Sequence, residues 1–318
     1  MATKPLRVGI VMDPIESITP YKDSSLAMLL EAERRGAEIS YFTQSDLKLV
    51  SGTALGRARR LNVVDDRECW WRFGEEREMP LGDLDVILMR KDPPFDMEYI
   101  YTTYILERAE LAGALIVNKP RALRDMNEKV FTAWFSDCTP LTLVTRSMAE
   151  MKRFVADHKT VVVKPLDGMG GRSIFIARHG DSNTNVIIET LTDHGRRFAM
   201  AQVFIPEIKS GDKRILLVDG MPVPYALARV PAGDDGRGNL VMGAIGEGRE
   251  LTERDRRICD RVGPVLRENG VLFCGIDVIG DYLTEINSTS PTGIRELDKM
   301  YKLNIAGLLF DAIEKSLR

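Results

Sequence analysis

Asp277, Glu285 and Asn287 fall within residues 275–287, which read as two short strands around a Gly280-Asp281 turn. Asp277 stands between isoleucine and valine, and Glu285 between threonine and isoleucine. Acids inside such strands cost stability unless their charge is compensated. Two carboxylates and an amide, with no histidine or cysteine, suit a hard cation such as magnesium and not zinc. Neighbouring arginines or lysines would satisfy the same acids without a metal. Glu285 and Asn287 are two residues apart and share a face. The place of Asp277 depends on the turn. A two-residue loop (Gly280-Asp281) pairs Asp277 with Thr284 and turns Glu285 to the opposite face. A three-residue loop ending at Tyr282 pairs Asp277 with Glu285. A three-ligand site needs the longer loop, and that is the expectation.

A second loaded segment is VVVKPLDGMGGRS at 161–173. Gly168, Gly170 and Gly171 let backbone N–H groups converge on an anion, and Lys164 ends the preceding strand with a full charge. No Lys-Ser or Lys-Thr follows the last glycine and no helix opens there, so this is not a Walker A loop, nor is it the Rossmann spacing. Strand, glycine loop and strand make a flap over phosphates, although a plain hairpin would use the same residues. Lys129, in a helical stretch at 123–135, is a second cation. Gln202, Val203, Phe204 and Ile205 form an apolar strand running into Pro206, which could offer its backbone to an adenine edge or serve as core.

These groups need elements to hold them. Strands at 7–12, 39–42, 84–89 and 115–118 alternate with helices at 24–36 (capped by Ser24 or Ser25) and 97–112, an open, mostly parallel α/β arrangement. From 123 the pattern becomes α+β: a strand at 141–144, a helix at 149–158, then strands at 160–164, 173–177, 186–189, 199–204, 214–218 and 223–229. Residues 231–248 are rich in glycine and read as a mobile loop. Helices at 253–268 and 302–316 complete the chain. At 318 residues two or three lobes are expected, divided as 1–122, 123–200 and 201–318. A net charge of −3 gives no basic face for nucleic acid. The four cysteines are scattered and only three histidines occur, a poor match to zinc or a disulfide framework. No signal peptide or membrane-spanning run is apparent, so a soluble cytoplasmic protein is expected.

Read in order, the chain resembles the bacterial glutathione synthetases of the ATP-grasp ligases. The blocks are GIVMDP (9–14), DSSLAMLLEAERRG (23–36), DVILMRKDPPFD (85–96), NEKVFTAWF (127–135), KPLDGMGG (164–171), GDKRILLVDG (211–220), RGNL (237–240) and TEINSTSPTGIRE (284–296). The resemblance implies an N-terminal α/β domain followed by a two-lobed ATP-grasp unit. It implies that γ-glutamylcysteine, glycine and ATP give glutathione, ADP and phosphate. By the same resemblance Lys129 and Lys164 meet the phosphates, Gln202 to Ile205 surround adenine, and Glu285, Asn287 and Asp277 hold magnesium, with manganese an alternative. Ser290 and Arg237 are implied substrate contacts, and a homotetramer is implied. In one place the chain departs from the pattern: Gly243-Ala244-Ile245-Gly246 stands where Gly-Gly-Arg-Gly is expected, so an arginine facing the reacting groups is replaced by Ile245, with Arg237 or Arg249 as substitutes.

Such a ligase phosphorylates a carboxylate so that an amine can displace phosphate. It needs positioning and charge stabilisation rather than an enzyme nucleophile. Arg214 and Arg229 join the lysines as the local cations, with Arg229 placed for the developing oxyanion and Arg90 for substrate from the first domain. A ligase joining D-alanine residues would share the lysines, flap and hairpin. A protein that only binds ATP would keep the lysines and could dispense with the metal carboxylates.

Overall fold

The computed structural model describes residues 4–230 and 245–318. The N-terminal part begins with β1 (Arg7–Val11), α1 (Ser24–Arg34), β2 (Glu38–Phe42), β3 (Leu47–Val50), β4 (Thr53–Val63) and β5 (Trp71–Pro80). It continues through β6 (Val86–Met89), α2 (Met97–Leu111) and β7 (Leu115–Val117). β2, β1, β6 and β7 pair in parallel, as the alternation of strands and helices predicts. The other half of this seven-stranded sheet is antiparallel, with β4 pairing β2, β3 and β5. Its strands are dense in Arg and Glu. Only alternate positions of β4 (Ala54, Gly56 and Ala58, then Leu61 and Val63 after a register shift) are buried, so no apolar run marks it.

α1 is capped by Asp23, whose carboxylate accepts from the Leu26 N–H at 2.6 Å, and not by Ser24 or Ser25. The two serines, inside the first turn, are thereby free for tertiary bonds. Helix is interrupted within 123–135: α3 (Pro120–Asp125) stops, and a 3-10 turn resumes at Val130. The break brings Glu128 and Lys129 into a cleft.

The central lobe consists of β8 (Thr142–Thr145), α4 (Met148–His158), β9 (Thr160–Pro165), β10 (Phe175–Arg178), α5 (Asn183–Thr192) and β11 (Ala199–Val203). Its four strands are antiparallel in the order β10-β9-β11-β8. Residues 186–189, expected as a strand, lie in helix α5. Thr184, Ile188, Leu191 and Thr192 are buried at helical spacing while Val186 is 59% exposed, so packing overrides the β-branched run.

The last part holds β12 (Asp212–Val218), β13 (Met221–Val230), β14 (Ile245–Glu250), α6 (Glu253–Glu268), β15 (Phe273–Ile279), β16 (Tyr282–Asn287), α7 (Ile294–Tyr301) and α8 (Ile305–Ser316). Its sheet runs β14-β13-β12-β15-β16. Of the expected mobile loop, residues 245–248 belong to β14, with Ile245 paired to Val230, and the remainder lies outside the described residues, Arg237 included. One core joins β1, α1, β2 and β6 to β12, α7 and α8, whereas the central lobe has its own core of Met151, Val155, Val161, Val163, Ile188 and Ala201.

Candidate active site

β9 reads Thr-Val-Val-Val-Lys-Pro, and its alternation divides it. Val161 and Val163 enter the lobe core, while Val162 and Lys164 face the space between the central and C-terminal sheets. That space is a cavity of about 530 Å³. Lys129, Lys164, Gly168, Gly170, Gly171, Gln202, Val203, Phe204, Ile205, Arg214, Arg229, Asp277, Glu285 and Asn287 all line it. The sequence-level candidates for nucleotide and metal are therefore together.

The hairpin reaches the required register by a different route from the one expected. Its turn has two residues, with Ile279 opposite Tyr282 and Val278 opposite Leu283. A bulge then adds Thr284, and the pairing resumes with Asp277 opposite Glu285 and Gly275 opposite Asn287. The three-residue loop is thus incorrect, while the cross-strand pairing it was invoked to produce is present. Thr284 also donates from Oγ1 to the Asp277 carbonyl at 3.1 Å, tying the bulge across the hairpin. Gly275 is required beside it, because a Cβ there would come within 2.7 Å of Arg214 Cδ.

The three acidic-face residues differ in what they have to offer. Asn287 donates from Nδ2 to the Gly275 carbonyl at 3.1 Å, which commits its nitrogen and leaves Oδ1 as a donor to a cation. Glu285 Oε1 stands 3.7 Å from Lys129 Nζ and 3.9 Å from Lys164 Nζ, beyond hydrogen-bond reach of either. Asp277 is engaged: Arg214 donates to both of its oxygens, at 2.8 Å to Oδ2, and Arg229 Nη2 lies 2.9 Å from Oδ2. Burial alone would raise the Asp277 carboxyl, but the two guanidiniums hold it well below the usual carboxylate range. Arg229 also pairs with Asp212. Burial pushes Asp212 upward, against Arg229 and with the like charge of Asp277. The donor set on this face is oxygen only and suits magnesium, with Glu285 and Asn287 the less committed members.

Both lysines are buried. Lys129 donates to the Gly168 carbonyl of the flap and Lys164 to the Thr284 carbonyl at 3.3 Å. Burial lowers the Lys164 ammonium, with Glu285 opposing. At the other end of the cavity, Val203 N–H bonds to Leu141 and Phe204 N–H to Thr160, at 3.0 and 3.1 Å. Among the described residues no acceptor takes the Ile205 N–H, and Val162, Ile176, Ile208 and Ile279 supply apolar walls nearby.

Arg90 and Ser290 are not at this cavity. Arg90 lies buried in the seam between the N-terminal and C-terminal parts, donating to Ser25 Oγ at 3.0 Å and to the Pro291 carbonyl at 2.9 Å. Ser290 Oγ bonds back to the Arg90 carbonyl at 3.3 Å. Sequence reasoning missed Glu128. Its Oε1 accepts from the N–H groups of Ser288 and Thr289 and from Thr289 Oγ1, and its own carbonyl accepts the Ile286 N–H. It clamps the strand that carries Glu285 and Asn287, and an acid next to a lysine in a polar stretch carries no periodic signal for such a role. Asp212 was missed for the same reason.

Residues 128–302 match the family model for the prokaryotic glutathione synthetase ATP-grasp domain, and residues 6–124 the model for the N-terminal domain of prokaryotic glutathione synthetase. Over 313 residues the chain is 59% identical to a glutathione synthetase of Escherichia coli, covering 98% of this chain and 99% of that protein. It is 57% identical to the glutathione synthetase of Citrobacter rodentium, with the same coverage. Among solved structures it is similar to D-cycloserine synthetase DcsG (TM-score 0.67, 15% identity, covering 98% of this chain and 100% of that one). It is also similar to the ATP-grasp ligase PsnB with a minimal precursor (TM-score 0.64, 19% identity, 99% and 100% covered). At such identities the structural likeness is one of fold.

Proposed function

The chain belongs to the prokaryotic glutathione synthetases, and from that premise we propose that it joins γ-glutamylcysteine to glycine, converting ATP to ADP and phosphate by way of an acyl phosphate. The observation that carries the reading at the site is the convergence of two buried ammoniums and a same-face carboxylate and amide in one cavity. A bound magnesium ion would supply Lewis-acid charge stabilisation to the transferring phosphoryl group. Glu285 and Asn287 would hold it. Asp277, directly across the ladder, would complete the set by sharing an oxygen with its arginines.

In this reading Lys129 and Lys164 neutralise the phosphates, and the backbone around Gly168, Gly170 and Gly171 closes over them. Gln202, Val203, Phe204 and Ile205 take the adenine edge, with the Ile205 N–H as the available donor. Arg214 and Arg229 are held by Asp277 and Asp212, so they are pre-oriented. Among the described residues Arg229 Nε is buried without a partner at the cavity wall, a donor that would serve the oxyanion formed when the glycine amine attacks. Arg90 and Ser290, on the seam between the N- and C-terminal parts, would meet a carboxylate of the dipeptide. No side-chain nucleophile is needed, because phosphorylation itself makes the leaving group. The same reading takes the enzyme to be cytoplasmic and homo-oligomeric. No helix among the described residues is long and apolar enough to cross a membrane.

The test is direct. With magnesium, ATP and γ-glutamylcysteine present, phosphate release is expected to depend on added glycine and to yield glutathione. Release that ignores glycine and responds instead to D-alanine would overturn the assignment.

A further inference from the structure

Asn127, Glu128 and Lys129 occupy the break where helix α3 stops at Asp125 and a 3-10 turn resumes at Val130. Their side chains diverge there. Asn127 donates from Nδ2 to the Leu166 carbonyl at 3.1 Å, where the flap leaves β9, and Lys129 donates to the Gly168 carbonyl further along it. Glu128, between them, reaches the metal strand instead. Its Oε1 accepts the N–H groups of Ser288 and Thr289, each at 3.0 Å, and the Thr289 hydroxyl at 2.8 Å. Its carbonyl accepts the Ile286 N–H at 2.8 Å. Three consecutive residues thus join the glycine flap to the strand that carries Glu285 and Asn287.

The residue types suit that task. Asn127 Oδ1 accepts the N–H groups of Lys129 and Val130, at 3.1 and 3.0 Å, which sets the amide and aims Nδ2 at the flap. Only an amide accepts at one end and donates at the other; a carboxylate would keep the turn and present an oxygen to the Leu166 carbonyl. Glu128 gathers three donors on one oxygen, which fixes the backbone immediately after Asn287. Phe95, Leu123, Met126, Leu166 and Thr289 close on the corner around a cavity of only about 20 Å³, room for about one water, so these side chains have little space to re-aim. Resting on the reading of the large cavity as a nucleotide and magnesium site, we propose that Asn127 and Glu128 are positioning residues that brace the flap against the metal strand. Asn127 acts through the flap backbone, and Glu128 through the backbone that carries Asn287. Together they set the spacing between the flap over the phosphates and the oxygens that would hold the metal, a spacing that transfer of the phosphoryl group requires.

ADP binding followed by calorimetry, in EDTA and in magnesium, tests the two arms separately. Asn127→Asp keeps the turn bonds and loses the donor to Leu166, so ADP should bind about tenfold more weakly in both buffers, the worth of one hydrogen bond turned into a repulsive contact. Glu128→Gln keeps an acceptor in place without its charge, whereas Glu128→Asp keeps the charge and draws it out of reach. The gain in ADP affinity that magnesium brings should survive in Glu128→Gln and shrink about tenfold in Glu128→Asp, with binding in EDTA unchanged in both. Limited trypsin should cut after Arg172, exposed in the flap, faster in Asn127→Asp and at the wild-type rate in Glu128→Asp. Wild-type ADP affinity in Asn127→Asp, or an intact magnesium gain in Glu128→Asp, would overturn the brace. So would a Glu128→Gln chain no better than Glu128→Asp, or equal cutting after Arg172 in Asn127→Asp and Glu128→Asp. Phosphate release by the wild type is followed in parallel. If it does not depend on glycine while the ADP results hold, the ligase reading falls and the brace stands.

Discussion

Glu285 stands just short of hydrogen-bonding distance from two buried ammoniums, while every other carboxylate discussed around the cavity is already bonded. A carboxylate kept in that position is available to a ligand. Glu285→Ala should lower phosphate release by at least about 10²-fold, the scale on which a preorganised charge is removed from a transition state. Nucleotide binding followed by calorimetry should persist in weakened form. Undiminished turnover would take Glu285 out of the mechanism. Asp277 predicts something else. Asp277→Ala leaves the buried Arg214 guanidinium without its carboxylate, while Arg229 keeps Asp212, and should cost about 3–5 kcal/mol in denaturant unfolding. Because Arg214 and Arg229 depress its folded pKa, Asp277 contributes stability that is complete above the unfolded carboxylate range and lost only as pH falls through the folded value. Neutral and mildly acidic buffers should therefore leave that contribution intact. At this scale Lys164 and the acid-amide pair were legible, since charge inside an apolar strand is conspicuous, whereas Lys129, read in a helical stretch, had a role only through the family resemblance. Glu128 was not legible, because its function depends on a loop 160 residues away.

The hairpin illustrates what element patterns can and cannot give. Two-residue periodicity assigns faces only while the ladder is regular, and Thr284 interrupts it. The sequence around 284 contains no glycine to betray a bulge, so turn arithmetic alone led to the wrong loop. Helix α5 failed for a related reason: four residues of β-branched and acidic character cannot reveal that a core lies on one side of them. Helix α6 was legible from end to end, its Thr252 and Asp255 forming a reciprocal cap. The same helix supplies a stringent packing test. A Cβ on Gly263 would come within 2.1 Å of the Gly220 carbonyl oxygen, backbone meeting backbone where α6 crosses the β12–β13 turn. Gly263→Ala should destabilise by about 1–3 kcal/mol, against the roughly 1 kcal/mol by which alanine ordinarily favours a helix. Thermal unfolding would measure it, and an unchanged or raised Tm would mean that the crossing is not close-packed.

At the scale of the molecule, the two ends of the chain are fastened to each other. Arg35, at the end of α1, bonds to Glu31 on its own helix and to the Gly307 carbonyl, Asp311 and Glu314 on α8. Hydrogen bonds from Arg34 and Arg35 lower the Glu31 carboxyl from 4.5 to about 2, against its burial. A depressed acid adds stability above its unfolded value and loses it as pH falls through the folded one. Arg35→Ala should thus lower Tm at neutral pH and flatten its decline between pH 4.5 and about 2, read from Tm against pH. An unaltered acid slope would show that Arg34 alone sets the carboxylate. This closure was invisible in the sequence, where the first and last elements read as separate domains. It also has a consequence for synthesis. As the chain leaves the ribosome, the central lobe has every residue of its own core once Ala201 has emerged. The N-terminal part does not: Leu26 and Leu29 share a core with Leu309, Phe310 and Ile313, which are made last. The first element translated must wait for the last, so the middle of the chain is positioned to fold before its beginning.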